Sequence, residues 1–528
     1  MTRFATVGLL TVCAAGGVLL ALLASPWWWA AAGPLVAVAL TGVYDLAQRR
    51  HSVLRNYPVL GHLRFLMEAL RPELQQYFVE RNYDGRPYDR DTRSLVYERA
   101  KGVDAEEPFG SERDMHERGY EFLVPSMAPV DVAKEPPRVR IGGPDCAAPY
   151  DMALLNVSAM SFGSLSANAV LALNTGAARG GFAHDTGEGG LSEYHLGPGG
   201  DLVWEIGTGY FGCRTRDGGF DAEQFAEKAA HPSVRCVSLK LSQGAKPGIG
   251  GVLPGGKVNA EIASVRGVPQ GETVISPPYH QVFSTPRELV AFLARMRELA
   301  HGKPVGFKLC PGSRTQFLAV CKAMRAEGVT PDFIVVDGAE GGTGAAPLEF
   351  ADHLGMPLTE GLFTVHAALT GAGLRDRVRI GASGKVATGA DIVKRLALGA
   401  DYTNAARAMM FAVGCIQAQR CHTNRCPTGV TTQDPRRARA LDVTDKSARV
   451  ARFQEATVKS ALQIMAAMGV SDLRDLGPHL LRRREDHGGF RSYSELYAWL
   501  APGELLAAPP ESWAADWKAA SPDTFAMR

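Results

Sequence analysis

The chain has 528 residues, 46% apolar and 21% charged, so it can bury a sizeable core and falls outside the disordered and fibrous classes. Its 57 basic and 55 acidic side chains leave a net charge of +2, which calls for no nucleic-acid partner. The 58 glycines come in clusters without a three-residue period, and the length suits an enzyme-sized body.

Residues 4–44 contain no charged side chain, and Arg3 and Asp45 bound the run. A bilayer core of about 30 Å needs about 20 helical residues. The run divides at Ser25-Pro26, before Trp27, Trp28 and Trp29, which predicts spans over 4–24 and 28–44. Residues 1–46 therefore read as a transmembrane helical hairpin. Arg3 precedes it, Arg49, Arg50 and Arg55 follow it, and its turn has no positive charge. That asymmetry puts both ends, and the catalytic body, on the cytoplasmic side of the inner membrane. A single tilted anchor and a secretory signal are the other readings. The signal is disfavoured because Ala21-Leu-Leu-Ala24 is a poor cleavage site with more apolar chain behind it. Nine cysteines, odd in number and scattered, do not form a disulfide framework and fit a reducing compartment.

Residues 47–150 are polar and rich in Arg, Tyr and Pro, with a helix at 63–70, and read as a connector and entry segment packing on the body. From 151 to 440, short apolar strands alternate with helical runs. The predicted strands are 153–161, 234–241, 304–310, 333–338, 378–383 and 402–406; the helices are 286–299, 314–326, 364–374 and 390–398. The Gly-rich stretch 180–212 leaves room for further strands. The fold class is α/β: a closed (β/α)8 barrel of the TIM type, with an open doubly wound sheet as the alternative. Residues 441–528 read as C-terminal helices, clearest at 448–468.

The sharpest local signal is Cys415-Ile-Gln-Ala-Gln-Arg-Cys421-His-Thr-Asn-Arg-Cys426-Pro427. Three thiols with no fourth nearby suit a three-iron cluster with one thiolate per iron. Zinc, which favours closer Cys pairs and four ligands, and a coincidence of thiols are the other readings. Gly338-Ala-Glu-Gly341-Gly342-Thr343-Gly344, Gly381-Ala-Ser383-Gly384-Lys385 and Asn404-Ala-Ala-Arg407 each follow a late strand. In a barrel, such loops hold a phosphate through backbone N–H groups, so they predict a phosphate-bearing cofactor. Gly207-Thr-Gly209-Tyr-Phe-Gly212 matches a dinucleotide fingerprint, but no helix pattern follows, which argues against a nicotinamide site on this chain. Lys240-Leu-Ser-Gln243-Gly-Ala-Lys246-Pro-Gly248 starts at a strand end and would bind an anion; a solvated basic loop is the bland alternative.

Taken together, the chain resembles the FMN-binding synthase domain of glutamate synthase large chains, over roughly residues 150–475. The resemblance rests on Met160-Ser161-Phe162-Gly163-Ser164-Leu165, Thr186-Gly187-Glu188-Gly189-Gly190, Gln243-Gly-Ala-Lys246-Pro-Gly248 and Leu253-Pro-Gly-Gly-Lys257-Val258. It continues through Ile275-Ser-Pro-Pro278, Gly341-Gly-Thr-Gly344-Ala, Leu374-Arg-Asp-Arg-Val378 and the cysteine run ending Cys426-Pro-Thr-Gly-Val430. The resemblance implies a barrel holding FMN and a [3Fe–4S] cluster that relays electrons to the flavin. The implied reaction adds ammonia to 2-oxoglutarate and reduces the 2-iminoglutarate to L-glutamate. By motif, Cys415, Cys421 and Cys426 would hold the cluster, and Met160, Ser161, Thr208, Lys240, Lys308, Gly342, Gly344, Gly384 and Arg407 would contact FMN. Gln243, Lys246, Arg266 and Glu188 would sit at the substrate.

Two departures shape the expectation. The chain leaves no room for the family's glutaminase domain, so ammonia would come from solution or a partner amidotransferase, and electrons from ferredoxin or a separate reductase subunit. The family's Gly-Glu-Gly-Gly-Gln reads Gly248-Ile249-Gly250-Gly251-Val252, which opens the alternative of a different keto acid or amine acceptor. A membrane electron-transfer subunit without small-molecule turnover is the third reading.

Overall fold

The structure is a computed structural model that describes residues 3–103, 106–485 and 489–526. The chain divides into two compact units, Met1–Asp91 and Thr92–Arg528.

In the first unit, α1 (Arg3–Leu23) and α2 (Trp29–Ala47) are joined by a short turn at Pro26–Trp28, capped by the Ser25 hydroxyl. Both are long and apolar enough to cross a membrane, with mean hydropathies of 2.3 and 1.5. They run antiparallel. A Cβ on Gly17 would lie 3.4 Å from Ala32, and one on Gly42 would lie 3.1 Å from Val7. Small residues at both ends of the pair let the backbones approach closely. Two short helices follow, α3 (Ser52–Asn56) and α4 (Gly61–Leu74).

In the second unit, eight parallel strands close into a barrel. They are β1 (Leu155–Val157), β2 (His184–Asp185), β3 (Leu202–Ile206), β4 (Val234–Lys240), β5 (Val305–Leu309), β6 (Phe333–Asp337), β7 (Arg379–Ser383) and β8 (Tyr402–Ala405). The register closes from β8 back to β1 through Thr403 opposite Leu155. The open-sheet alternative is thereby excluded. The six strands expected from sequence are present, most of them shorter than expected, and β2 and β3 lie in the Gly-rich stretch that had been left open.

The outer helices include α5 (Ala167–Gly180), α6 (Ala222–Ala229), α7 (Pro286–Leu299), α8 (Arg314–Glu327), α9 (Leu358–Gly371) and α10 (Gly389–Ala397). Their starts follow from local chemistry. Thr285 and Glu288 make a capping box with Pro286 in the first turn of α7, and Thr388 and Asp391 make another for α10. After the barrel, α11 (Val443–Ala467) lies across α5 and α10. It comes so close that a Cβ on Gly176 would sit 2.7 Å from Val450, and one on Gly389 would sit 2.5 Å from the Ala461 backbone.

The barrel is filled by large side chains set against glycines. A Cβ on Gly306 would meet Phe333 at 2.2–2.7 Å, and one on Gly381 would meet the Tyr402 ring at 2.5 Å. Above this apolar floor, β3, β4, β5 and β6 carry Glu205, Lys240, Lys308 and Asp337 at or near their C-terminal ends. That is the end of a barrel where ligands bind.

Candidate active site

Side chains alternate along a strand, so residues two apart share a face. Register places Lys240 of β4 directly beside Lys308 of β5. Two buried ammonium groups would repel unless acids stood between them, and they do. Glu205 lies 3.2 Å from Lys308 and 3.9 Å from Lys240; Asp337 lies 3.7 Å from Lys308, and Glu188 lies 3.2 Å from Lys240. All five side chains are buried or nearly so. Burial opposes the charge on Lys308, but Glu205, Asp337 and Asp185 together hold its ammonium above the usual lysine range. Burial and the charge of Glu205 push the Asp185 carboxyl up, to about 8. Asp185 also accepts the Gly187 N–H at 3.0 Å and lines a small cavity beneath the mouth with Asn156, Tyr402 and Asn404.

Glu188 is the hinge of the upper layer. Burial works against its ionisation, but Lys240, Arg266 and Lys246 outweigh it and hold the carboxyl below the usual range. Two glycines make room for it. A Cβ on Gly207 would lie 2.5 Å from Oε2, and one on Gly251 would lie 2.0 Å from Oε1. Arg266 is buried, donates to the Phe162 carbonyl at 2.9 Å and the Ser161 hydroxyl at 3.3 Å, and stacks over Phe211 at 5.0 Å. Burial brings its guanidinium down to about 10, and its Nε has no hydrogen-bond partner among the described residues. Lys246 is 2% exposed, and burial lowers its affinity for a proton. The solvated-basic-loop reading is therefore corrected: Lys240 and Lys246 are inside, because Glu188 draws them in. Gln243 stands half-buried on the same loop.

The glycine loops join into one rim. The Gly244 N–H donates to Asp337 at 3.0 Å, and a Cβ on Gly244 would meet the Gly338 carbonyl at 2.0 Å. Gly338 N–H donates to the Ser383 carbonyl, whose residue's hydroxyl lies 3.2 Å from that of Ser158. A Cβ on Gly342 would press on the Arg407 guanidinium at 3.0 Å, and Arg407 donates to the Glu340 carbonyl at 2.8 Å. Gly384 has φ of +137° and Lys385 +52°, a left-handed turn that presents backbone to the rim. Met160 and Ser161 follow β1, next to β8 in the barrel, and Gly187, at φ +64°, leaves no room for a Cβ against the Ser161 nitrogen. Thr208 donates to the Pro277 carbonyl at 2.6 Å, on the neighbouring loop. As expected, no helix opens after Gly207–Gly212; the next begins at Ala222.

The expected residues therefore fall into two groups. Met160, Ser161, Glu188, Lys240, Lys246, Arg266 and Lys308 are brought together, whereas Gly342, Gly344, Gly384 and Arg407 line the far rim. Sequence reasoning missed Asp185, Glu205, Asp337 and His280. Glu205 had a signal, a lone carboxylate inside the apolar strand Leu-Val-Trp-Glu-Ile. His280 is buried between the Tyr210 hydroxyl at 3.1 Å and the Lys240 carbonyl at 2.9 Å, and burial lowers it to about 4, so it is neutral.

All nine cysteines are free thiols. The run 415–426 is irregular, with Gln417, Gln419 and Asn424 at positive φ. It is tied down by its neighbours: Tyr97 donates to the Cys415 carbonyl at 2.7 Å, and Asn424 to the Gly256 carbonyl at 3.1 Å. Burial, with the neighbouring Cys421 and Cys426, raises the Cys415 thiol to about 12. Burial opposes ionisation of Cys426 too, but hydrogen bonds from Thr428 and Thr431 bring it down to about 7. The three sulfurs thus lie within electrostatic reach of one another. Among the described residues, no three His, Cys, Asp or Glu side chains are set to hold a single metal ion. A donor set with one thiolate per iron does not require that geometry. A Cβ on Gly344 would lie 3.9 Å from Cys421, so this run borders the glycine rim.

A family model for the conserved region in glutamate synthase matches residues 146–471. The glutamate synthase large subunit-like protein YerD of Bacillus subtilis is 37% identical over 494 residues, covering 86% of this chain and 94% of that protein. The archaeal glutamate synthase (NADPH) of Methanocaldococcus jannaschii is 34% identical over 322 residues, 61% of this chain and 60% of that enzyme. The match thus spans only 60% of the archaeal enzyme's length. A solved mandelate oxidase is 16% identical with a TM-score of 0.40, covering 67% of this chain and 84% of that one. A closed parallel barrel with this motif set, matched over most of its length, makes the chain a member of the glutamate synthase family.

Proposed function

We propose that the barrel mouth binds FMN and reduces a 2-imino acid, with 2-iminoglutarate formed from 2-oxoglutarate and ammonia as the best-supported substrate. The chain is a glutamate synthase-like oxidoreductase by family, and the observation that carries the finer reading is the buried cationic layer. At its upper level Lys240, Lys246 and Arg266 all gather on the one carboxylate of Glu188. That level has little access to water, where an anion gains the most from charge.

The cradle fits FMN. Gly342 and Gly384 leave the rim without side chains, Arg407 stands beside it, and Met160, Ser161 and Thr208 follow other strands at the same end of the barrel. Bound FMN supplies the hydride that the imine carbon receives. Arg266 and Lys246 hold the substrate carboxylates, and Glu188 positions both cations; Gln243 supplies a carboxamide to the same pocket. Lys240 would offset negative charge on a reduced flavin, and Lys308 holds Glu205, which also faces Lys240. Cys415, Cys421 and Cys426 would hold a [3Fe–4S] cluster supplying single electrons, which ferredoxin or a separate reductase subunit would replenish. Ammonia would come from solution or a partner amidotransferase. The helices α1 and α2 would span the inner membrane as a hairpin, with the barrel on the cytoplasmic side.

The test is anaerobic turnover of 2-oxoglutarate and ammonium with reduced viologen. Glutamate formation supports the reading; intact flavin and iron without glutamate would exclude that substrate. A second reading, another keto acid or amine as acceptor, is favoured by one observation. The loop carrying Ile249 and Val252, where the family has a carboxylate and a carboxamide, presses Gly251 onto Glu188. Flavin reoxidation by a panel of keto acids and amines separates the two.

A further inference from the structure

Within the first unit, α4 departs from what a water-exposed helix should show. Leu63, Leu66, Met67, Leu70 and Leu74 are each 43–58% exposed, and of its residues only Gly61 is buried. At about 100° per residue these five side chains fall in one arc about 100° wide. Arg64 and Arg71 flank one edge of that arc, both exposed. Tyr77 and Phe78 follow in the next turn, at 56% and 82% exposure. A continuous apolar stripe of this kind, left uncovered in water, marks a contact surface.

Its position says what it contacts. The first turn of α4 is pinned to the end of α2: His62 Nε2 lies 2.9 Å from the Asp45 carboxylate, which also accepts the Val59 N–H at 2.8 Å. Asp45 is fully buried in this joint. Arg3, at the start of α1, donates to Asn56 at 3.3 Å, so both outer ends of the antiparallel pair meet the same segment. Arg49, Arg50 and Arg55 are exposed along it. The start of the stripe, the arginines and the ends of the two apolar helices therefore share one level.

We propose that α4 is an in-plane membrane-contact helix, its leucine stripe entering the acyl boundary and Arg64 and Arg71, with Arg49, Arg50 and Arg55, meeting anionic phospholipid headgroups. This rests on the reading of α1 and α2 as membrane spans. The helix sets the depth at which the chain leaves the bilayer, a role separate from anchoring.

The experiment uses the full chain in vesicles of phosphatidylcholine, alone or mixed with phosphatidylglycerol, each doped with a lipid bearing an acyl-chain diazirine. Crosslinks are mapped by mass spectrometry. The expected result is labelling of residues 61–74 as well as 3–47, several-fold stronger on 61–74 with phosphatidylglycerol. Leu66→Glu with Leu70→Glu should abolish the 61–74 label and leave that of 3–47 unchanged, and Arg64→Gln with Arg71→Gln should remove the lipid preference. Labelled spans with an unlabelled 61–74 would overturn the proposal and leave the hairpin standing, pointing the stripe at a protein instead. Equal labelling with both lipids would overturn the headgroup assignment. If 3–47 is unlabelled, the hairpin reading fails; 61–74 then decides alone, a label supporting its lipid contact and none overturning it.

Discussion

The barrel mouth and the three-cysteine run border one another yet are built in opposite ways. At the mouth, Glu205, Lys240, Lys308 and Asp337 sit on strands, Arg266 ends a short helix, and the sheet register sets Lys240 beside Lys308. Its charges are already compensated by Glu188, Glu205 and Asp337. The cysteine run has no ladder; its backbone turns through left-handed residues, and its thiols are met by the Gln417 N–H at Cys415, the Thr428 hydroxyl at Cys426 and the charge of Lys257. The first site is organised by folding. The second depends on the bound group to complete it, so the two should respond differently to substitution.

The largest effect belongs to the mouth. Lys308→Met leaves Glu205 and Asp337 buried without their main partner, and losing one member of a buried ion pair costs about 3–5 kcal/mol. Chemical denaturation of the ligand-free protein checks this, and a loss under about 1 kcal/mol would show the layer to be far wetter than its burial indicates. Gly244→Ala comes next. Its Cβ would meet the Gly338 carbonyl at 2.0 Å, so the rim must open, costing about 1–3 kcal/mol and weakening flavin binding in a titration.

Asp185 gives a pH signature. Its folded-state proton affinity is raised to about 8, so its stabilisation is fully present below the unfolded carboxylate range and fades as pH rises through about 8. Stability therefore falls as pH rises between the ordinary carboxylate range and about 8. Asp185→Asn, which cannot ionise, should flatten the fall in melting temperature between pH 6 and 8. Equal slopes in the two proteins would mean that Asp185 is ionised throughout.

The smallest effect on folding belongs to the cysteine run. Cys426→Ser should change the stability of iron-free protein by less than about 1 kcal/mol, the scale of one side-chain hydrogen bond. It should nevertheless abolish iron retention, measured by iron analysis after anaerobic purification. A variant that keeps its iron would remove Cys426 from the ligand set.

What the sequence made legible follows the same divide. Six strands stood out as apolar runs, whereas β2 has two residues and β3 carries Glu205 next to its last residue, which breaks the pattern a buried strand shows. Lys240 was found because a lysine at a strand end is conspicuous, and Lys308 through the family resemblance. Their acids were missed because Asp185 and Asp337 end their strands, where an acid also reads as an ordinary turn residue. The spacing of the three cysteines was plain, but spacing carries no information on whether the loop holds them ready. The uncovered stripe of α4 needed the structure, since a leucine face on a short helix usually meets a core.

The central claim is that a flavin at the mouth and an iron centre on Cys415, Cys421 and Cys426 occupy the same molecule. It is tested most directly by absorption and EPR spectra of anaerobically purified protein, with flavin and iron quantified on the same sample. The account predicts FMN bands together with stoichiometric iron and the signal of an oxidised three-iron cluster. Colourless protein, or flavin without iron, would contradict it.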